Sequence, residues 1–564
     1  MSCEEKPWLK HYPPHCTPEI EYPNLSLTDY LDTVACTSEN KAALHFLGLT
    51  LTYGQITRFS NRLAQCLVEH GIGKGDIVGI NLPNVPQYMV AQLGILKAGA
   101  AASGVSPLLT PREMAHQLTD SRAKAFITID AIFEHRLEQI AAEVPDLRVV
   151  IVTGILDFLP WIKRFAAKVL KKVPTGLVRP LSGKTVLQFM DVLKHYNDQR
   201  PAVDIVPDDD CLVMYTGGTT GLPKGTVNTH RNMMAELAIV TTWLNMRHGD
   251  EVILSAFPYF HIAGLALGLG TMYIGAVQIL IPNPRDTNHI VKEMKKYRPT
   301  ILVNVPSLYM MLMADEGFRK LEFSKLGFCL SAASPFPVES LRELESIIGK
   351  DKMIECYGMT EVSSLATMNP RYGTKKLGTV GIPLPNTDIK LFDLETGSSE
   401  VSVSQEGEIL VSGPQVMTGY FNKPEETALA LRDHGGKVWL HTGDIGRMDS
   451  DGFITIVDRA KDMLNVGGFK VFSREVEEKL YEHPAIESCA IIGVPNPKRP
   501  GTEIVKLVVQ VRPAYRERAK TDLESDILAF AKENFAPYKV PKIVEFLQDM
   551  PLTSVGKVDK KALR

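Results

Sequence analysis

Three features that mark specialised classes of protein are missing from this sequence of 564 residues. Its eight cysteines form no Cys-x-x-Cys pair, so neither a zinc site nor a disulfide framework is indicated, and we expect a reducing compartment. The 62 Lys and Arg nearly balance the 65 Asp and Glu, and a net charge of −3 creates no strong field to attract nucleic acid. Residues 1–10 lack the apolar core of a signal peptide. We therefore expect a cytoplasmic protein without a nucleic-acid partner.

Long uncharged runs are also scarce. Only residues 262–281 are long enough to span a membrane without a charge, but their four glycines and Gln278 favour a buried helix that runs into a core strand. Residues 161–172 combine apolar positions at helical spacing with lysines and an arginine. We interpret them as a surface helix, and a weak peripheral contact with a membrane stays open.

An alternation of strand and helix patterns begins near residue 40. Residues 51–71 and 88–97 have helical patterns on either side of a strand at 76–82, and the same order recurs at 126–152. This pattern predicts layered sheets covered by helices. Residues 473–482 and 521–534 read as helices around strands at 488–494 and 505–511, which predicts a separate unit of about 100 residues. The fold class is therefore α/β and α+β, with a large N-terminal domain of several subdomains and a small C-terminal domain.

A glycine- and threonine-rich loop at residues 215–225 follows the apolar strand 211–215. Its four glycines let the backbone approach a ligand closely, while three threonines and Lys224 supply hydroxyls and a cation. We interpret the loop as a phosphate cradle. It is not a Walker A loop, because Pro223 and Gly225 flank Lys224.

Two further polar motifs add groups suited to a nucleotide. In residues 357–361, Tyr357 offers a face for adenine, Thr360 a hydroxyl for the α-phosphate and Glu361 a carboxylate for Mg²⁺. Asp444 is expected on a tight turn, where its carboxylate accepts hydrogen bonds from both ribose hydroxyls. Arg459 can reach the ribose or a phosphate, and the charges of residues 458–462 predict a segment that faces solvent and moves.

These motifs, together with residues 257–264, 330–335 and 551–563, resemble the signatures of the AMP-forming adenylating superfamily in order and spacing. That superfamily includes acyl-CoA synthetases, peptide-synthetase adenylation domains and luciferases. The resemblance covers roughly residues 40–564 and is strongest to bacterial fatty acid–CoA ligases. One departure is Gly217, where the family usually has Ser.

The resemblance implies an enzyme that activates a carboxylic acid with ATP and Mg²⁺ and then transfers the acyl group to coenzyme A. It implies an N-terminal domain of residues 1–458, a hinge at 459–461 and a mobile C-terminal domain of residues 462–564. The implied catalytic residues are Lys557, Thr360, Glu361 and His261, and the implied metal ligands are Thr219 and Glu361. The implied nucleotide and coenzyme A contacts are Thr216, Gly217, Gly218, Thr219, Thr220, Gly221, Lys224, Ser331, Ala332, Ala333, Glu355, Tyr357, Gly358, Asp444, Arg459, Lys461, Gly467 and Gly468.

The acid itself is less defined. Relatives that activate acetate carry Trp at the position of Gly358, so glycine favours a larger acid, and Trp243 with residues 262–281 could line a tunnel for a medium- to long-chain fatty acid. An alicyclic or aromatic acid stays open, as does a homodimer. Three other functions are alternatives: a carrier-protein-loading adenylation enzyme, a P-loop kinase that releases ADP, and a non-catalytic nucleotide-binding protein. The intact Lys557 and Glu361 argue against the last.

Overall fold

The structure is a computed structural model that describes residues 6–161, 173–216, 223–334, 336–459, 462–466, 469–497, 502–553 and 557–564. The strands up to the middle of the chain are β1 (Ala42–Phe46), β2 (Leu49–Thr52), β3 (Ile77–Asn81), β4 (Ala101–Gly104), β5 (Ala125–Ile129), β6 (Val149–Thr153), β7 (Thr185–Gln188), β8 (Asp210–Thr216), β9 (Lys224–Thr229), β10 (Val252–Ser255), β11 (Val277–Leu280), β12 (Ile301–Asn304), β13 (Phe328–Ser331) and β14 (Met353–Tyr357).

The later strands are β15 (Thr367–Met368), β16 (Ile382–Pro383), β17 (Asp388–Phe392), β18 (Glu406–Ser412), β19 (Gly419–Tyr420), β20 (Leu431–Asp433), β21 (Val438–Met448), β22 (Ile454–Arg459), β23 (Leu464–Val466), β24 (Phe469–Val471), β25 (Ile486–Pro495), β26 (Glu503–Val511) and β27 (Ile543–Leu547).

The α-helices are α1 (Leu27–Thr37), α2 (Tyr53–Glu69), α3 (Pro86–Lys97), α4 (Pro111–Asp120), α5 (Asp130–Ile132), α6 (Glu138–Ile140), α7 (Phe189–His195), α8 (His230–Trp243), α9 (Ile262–Tyr273), α10 (Thr287–Tyr297), α11 (Pro306–Ala314), α12 (Glu316–Arg319), α13 (Val338–Ile348), α14 (Pro424–Ala430), α15 (Ser473–Leu480), α16 (Lys520–Asn534) and α17 (Lys560–Leu563). Shorter turns of 3₁₀ helix are Pro7–His11, Thr360–Val362 and Pro513–Tyr515, and Phe133–Leu137 is π-helical.

Two large, mainly parallel sheets enclose the principal core. One has the order β19-β9-β8-β4-β3-β5-β6-β7 and the other β16-β15-β14-β13-β12-β10-β11-β1-β2, with antiparallel pairs near their edges. Helices α2, α3 and α9 fill the space between them, and every residue of α3 is buried. The packing explains why α3 lacks a polar face: a helix that touches protein all round has no side for solvent.

Polar residues at the helix starts agree with this arrangement. Thr52 and Gln55 form a reciprocal capping box that begins α2, and Thr229 with Asn232 does the same for α8. Each pair satisfies backbone N–H groups that have no partner within the helix. These capping pairs therefore define the residues at which α2 and α8 begin.

A third sheet, β17-β18-β21-β20 with β22 paired to β21, completes the N-terminal part. Beyond it, residues 464–540 have a hydrophobic core of their own, formed mainly by α15, α16 and strands β25 and β26, and residues of β27 pack against it. A separate core is typical of an independent folding unit. The layered α/β and α+β fold class is confirmed by this architecture.

Residues 262–281 form the predicted pair of elements, helix α9 followed by strand β11, and both are largely buried. Within the described residues, the helices are all too short or too polar to cross a membrane. Of the predicted basic helix at 161–172, only Trp161 is described, and its side chain is exposed; residues 162–172 lie outside the described part of the chain.

Candidate active site

The two ends of the predicted phosphate loop are held side by side. Thr216 ends β8, Lys224 begins β9, and the two residues pair across the antiparallel ladder. Residues 217–222, which include the predicted contacts Gly217, Gly218, Thr219, Thr220 and Gly221, lie outside the described residues. The ladder nevertheless brings Thr216 and Lys224 next to each other, at the end of β8 and the start of β9. The two described ends of the loop are therefore adjacent.

Tyr420 connects Lys224 to Glu361. Strand β19 pairs with β9, which brings the Tyr420 ring under the Lys224 ammonium, 4.3 Å from Nζ to the ring centre. The Tyr420 hydroxyl donates a hydrogen bond of 2.9 Å to Oε1 of Glu361. Burial raises the pKa of Glu361, and the Tyr420 hydroxyl opposes that rise. One tyrosine thus orients both a cation and a carboxylate.

Glu361 has the chemistry of a magnesium ligand. It follows Thr360 in the short 3₁₀ helix after β14, and both side chains are buried. Oxygen ligands suit Mg²⁺, which proteins bind through one or two carboxylates together with substrate phosphates. The described residues contain no group of three or more His, Cys, Asp or Glu side chains that could hold a metal ion. The second predicted ligand, Thr219, lies outside those residues.

Asp444 does not lie on a tight turn, contrary to the sequence interpretation. It lies within β21, and its neighbour Gly443 has a positive φ of 70° where the ladder to β18 is irregular. Tyr357, the last residue of β14, donates a hydrogen bond of 2.7 Å to Asp444 Oδ2, and Arg459 Nε lies 2.9 Å from Oδ1. The carboxylate is therefore oriented by two partners.

The two carboxylates on either side of Arg459, those of Asp458 and Asp462, do not face solvent as their charges predicted. Asp458 is buried and accepts hydrogen bonds from the backbone and the hydroxyl of Ser473 on α15. Asp462 is also buried and forms an ion pair of 2.7 Å with Arg564. Burial of these carboxylates is tolerated because each has a hydrogen-bonding or charged partner. Lys461 lies outside the described residues.

Lys557 of the C-terminal domain lies near His261 of the N-terminal domain. His261 caps α9, where Nδ1 accepts the N–H of Ala263 at 3.3 Å. Burial and the nearby Lys557 ammonium lower the pKa of His261 to about 3, so the ring is neutral near pH 7. Lys557 lies beside the short bridge between Leu552 and Val558. The C-terminal domain thus presents a cation near the N-terminus of α9.

The predicted adenine wall lies at the ends of two neighbouring strands. Ser331 ends β13, pairs with Glu355 on β14, and is followed by Ala332 and Ala333. Ala333 has a φ of 73°, a left-handed conformation that is uncommon for a residue with a Cβ and typical of functional sites. Glu355 accepts the Gly378 N–H at 3.0 Å, and burial raises its pKa to about 7. Gly467 and Gly468, predicted near coenzyme A, lie outside the described residues.

The structure gives a different reason for glycine at position 358. A Cβ there would lie closer than 3.0 Å to the Ser364 carbonyl oxygen and to Leu365 Cα. The glycine is therefore required by a close approach of backbone. The inference from this glycine to an acid larger than acetate stays a prediction.

An apolar cavity of about 70 Å³ lies between α8, α9 and strands β12 and β13. Its lining includes Leu365 and Cys356, and Cys356 is adjacent in the chain to Tyr357 of the candidate site. Trp243 was expected to line a tunnel here, but it is fully buried elsewhere, with its indole N–H near the Asn369 carbonyl. Side chains on the facing sides of the two helices line the cavity: Glu236, Leu237, Val240, Thr241, Leu244, Ala263, Ala266, Leu267, Gly270 and Thr271.

Two residues of this region were not singled out in the sequence. Tyr420 has no local signal for its role, because its contact with Glu361 joins positions 59 residues apart. Glu236 lies on α8, and a glutamate in a helix is usually a surface residue. Its position between the apolar residues Ala235 and Leu237 is the sequence feature that could have indicated burial.

Family models match most of the chain. The model described as "AMP-binding enzyme" matches residues 31–421, and the one described as "AMP-binding enzyme C-terminal domain" matches residues 475–557. Among curated proteins, the long-chain-fatty-acid–CoA ligase of Bacillus subtilis is 36% identical over 568 residues, covering 99% of this chain and 98% of that protein. The ligase of the same name from Yersinia pestis is 36% identical over 571 residues, with the same coverage.

Similarity extends to proteins named for aromatic acids. The feruloyl-CoA synthase of an Amycolatopsis species is 32% identical over 529 residues, which are 93% of this chain and 96% of that protein. The crystal structure of an anthranilate CoA ligase in complex with anthranoyl-AMP superposes with a TM-score of 0.82 at 26% identity, over 96% of this chain and 97% of that one. A benzoate CoA ligase from Burkholderia xenovorans gives 0.80 at 26% identity, over 96% and 99% of the two chains.

Proposed function

This chain belongs to the AMP-binding enzyme family, and from that premise we propose how its own residues carry out the family's chemistry. The protein is an AMP-forming acyl-CoA synthetase, an acid–thiol ligase that uses ATP, Mg²⁺ and coenzyme A. In the first half-reaction, a carboxylate oxygen attacks the α-phosphorus of ATP, and the bond to the pyrophosphate oxygen breaks. In the second, the thiolate of coenzyme A attacks the carbonyl carbon of the acyl-adenylate, and AMP leaves.

The observation that carries the proposal is that Lys557 lies near enough to His261, the N-cap of α9, for its charge to lower the pKa of that ring. Two anions must meet in the first half-reaction, so a cation between them stabilises the charge that develops in the transition state. We assign that role to Lys557, while neutral His261 forms part of the wall of the carboxylate pocket. Thr216 and Lys224 would hold the outer phosphates.

Mg²⁺, when bound, would neutralise phosphate charge and orient the triphosphate for in-line attack. Glu361 fits this ion because it is a buried carboxylate with one oxygen already oriented by Tyr420. Asp444 and Arg459 would bind the ribose, with Tyr357 fixing the carboxylate and offering its ring to adenine. Ser331, Ala332, Ala333 and Glu355 would form the remaining wall around the base.

We further propose domains at residues 1–458 and 462–564, with a hinge at 459–461. The separate core of residues 464–540 supports this division. The family resemblance implies that rotation about the hinge withdraws Lys557 and brings in Gly467 and Gly468 for the thiol. In the described arrangement Lys557 is near His261, which matches the orientation needed for the first half-reaction.

A fatty acid of medium to long chain is the proposed substrate. The names of the full-length relatives support it, as does a cavity whose lining is almost entirely apolar. The free volume of about 70 Å³ is below the roughly 300–1,000 Å³ of typical ligand pockets. A long chain must therefore displace flexible lining side chains such as Leu244 and Leu267.

An alicyclic or aromatic acid is the second candidate, and the fold similarity to anthranilate and benzoate CoA ligases favours it. Pyrophosphate release should be measured with acids of two to eighteen carbons, benzoate and cyclohexanecarboxylate, each with and without coenzyme A. We expect the highest kcat/KM for a chain of eight or more carbons, with AMP and acyl-CoA as products. Acyl transfer only to a carrier protein would indicate a loading enzyme, and release of ADP a kinase.

We also propose a cytoplasmic location. All seven cysteines in the described residues are free thiols, which fits the reducing cytoplasm. A peripheral membrane contact through the region of the exposed Trp161 can be tested by flotation with lipid vesicles. A homodimer can be tested by sedimentation equilibrium.

A further inference from the structure

Glu236 is a carboxyl group in an apolar cavity. It lies on α8, its side chain is 1% exposed, and it faces the cavity between α8 and α9. Its neighbours on the lining are mostly aliphatic, including Val240 and Leu267. A glutamate that is almost completely buried is rare in proteins unless it has a partner or a function.

One oxygen of Glu236 has a partner and the other does not. Oε1 accepts the backbone N–H of Leu365 at 2.8 Å, whereas Oε2 is buried without a hydrogen-bond partner among the described residues. Of the three hydroxyl side chains in the lining, those of Thr241 and Thr271 donate to carbonyls of their own helices. Within the described lining, Glu236 Oε2 is the one fully buried polar atom without a partner, and buried polar groups are normally paired.

Burial also determines the charge of this group. It raises the pKa of Glu236 well above its usual value, and the Leu365 N–H only partly opposes the shift. Burial therefore favours the neutral carboxylic acid, which has one O–H donor and further acceptor capacity. A neutral acid can bind an alcohol or a carbonyl oxygen without bringing a charge into the cavity.

We propose that Glu236 selects acids that carry a hydroxyl or oxo oxygen along the acyl chain, by donating a hydrogen bond from its carboxyl group to that oxygen. The inference rests on the proposed function, because it assumes that the acyl group occupies the cavity. A chain bearing an ammonium group is disfavoured, since the aliphatic lining would leave that charge unsolvated. Glu236 is thereby a specificity-determining residue for the first half-reaction.

The alternative is a structural role, in which Glu236 only anchors the Leu365 backbone. Glutamine at this position keeps an acceptor for Leu365 and an N–H donor for the cavity. Leucine removes both. The two variants Glu236→Gln and Glu236→Leu therefore separate recognition of the acyl oxygen from support of the backbone.

The test compares decanoate with its positional series of hydroxy and oxo derivatives, using kcat/KM for coenzyme-A-dependent AMP release. For the wild type, we expect at least one oxygenated isomer to exceed decanoate by about tenfold, equal to roughly 1.4 kcal/mol. Glu236→Leu should remove this preference and Glu236→Gln should retain its direction. The effect should appear mainly in KM, because the contact binds a part of the acid remote from the reacting carboxylate.

Thr241→Val is the matched control. It changes a hydroxyl on the same helix and the same cavity, but one that already donates within its helix, so the ratio of oxygenated to plain acid should stay as in the wild type. The proposal is overturned if the wild type prefers decanoate to every derivative, or if Glu236→Leu keeps the wild-type ratio. Absence of AMP release with every acid would instead refute the proposed function, and with it this inference.

Discussion

Replacing Tyr420 with Phe tests whether the tyrosine hydroxyl orients the candidate magnesium ligand. The change removes the 2.9 Å hydrogen bond to Glu361 and leaves the ring under Lys224. Because the hydroxyl opposes the rise that burial causes in the pKa of Glu361, its loss should raise that pKa further. A smaller fraction of ionised carboxylate then remains to bind the metal.

The magnitude follows from the type of hydrogen bond. A hydrogen bond to a charged group contributes about 1.5–3 kcal/mol, and each 1.4 kcal/mol corresponds to a factor of ten. We therefore expect Tyr420→Phe to lower kcat/KM for ATP–pyrophosphate exchange by roughly 10- to 100-fold. Tyr420→Leu also removes the ring from Lys224, which should cost about 0.5–1 kcal/mol more.

The assay is ATP–pyrophosphate exchange over a series of Mg²⁺ concentrations and pH values. For Tyr420→Phe, we expect a higher half-saturating Mg²⁺ concentration and an activity profile shifted toward higher pH. Formation of thioester from supplied acyl-adenylate should be unaffected. Tyr196→Phe is the control, because Tyr196 also contacts a carboxylate, Glu69 at 3.4 Å, on an exposed surface. Wild-type exchange at limiting Mg²⁺, or equal loss in both half-reactions, would refute the reasoning.

Three further predictions concern stability and chain length. The pKa of Glu355 is raised to about 7, so the folded chain holds a proton that the unfolded chain loses; its contribution to the free energy of unfolding falls as pH rises from about 4.5 to 7. Glu355→Gln should make the urea midpoint depend less on pH in that range. An unchanged slope of the urea midpoint against pH would contradict the raised pKa of Glu355. Gly358→Ala should destabilise the protein by about 1–3 kcal/mol through overlap with Ser364, while Gly270→Ala, whose Cβ meets only an ordinary contact, should not; equal urea midpoints would contradict this. Gly270→Leu should fill the cavity and lower kcat/KM for long chains more than for short ones, and proportional losses would place the chain elsewhere.

Local patterns of the sequence predicted the elements that local physics determines. Residues 262–281 were expected to form a buried helix and a core strand, and they form α9 and β11. The C-terminal helices and strands begin and end within a few residues of their predicted bounds, for example α16 at Lys520–Asn534. In each case the signal is hydrophobic periodicity within one element, which requires no knowledge of distant partners.

The sequence predictions were wrong where a residue distant in the sequence provides the partner of a charged side chain. The carboxylates at 458 and 462 predicted exposure because an isolated charge resists burial, but Ser473 and Arg564 supply partners. Likewise, the contacts of Asp444 with Tyr357 and of Glu236 with Leu365 join residues 87 and 129 positions apart. Such pairs depend on sheet order and helix packing, which a single sequence does not reveal.

The central claim is that Lys557 acts in the first half-reaction and leaves before the second. The most direct measurement is both half-reactions of Lys557→Ala: ATP–pyrophosphate exchange with decanoate, and acyl-CoA formation from supplied decanoyl-adenylate. The account predicts that exchange is lost while thioester formation proceeds at close to the wild-type rate. Equal loss of both activities, or exchange at the wild-type rate, would contradict it.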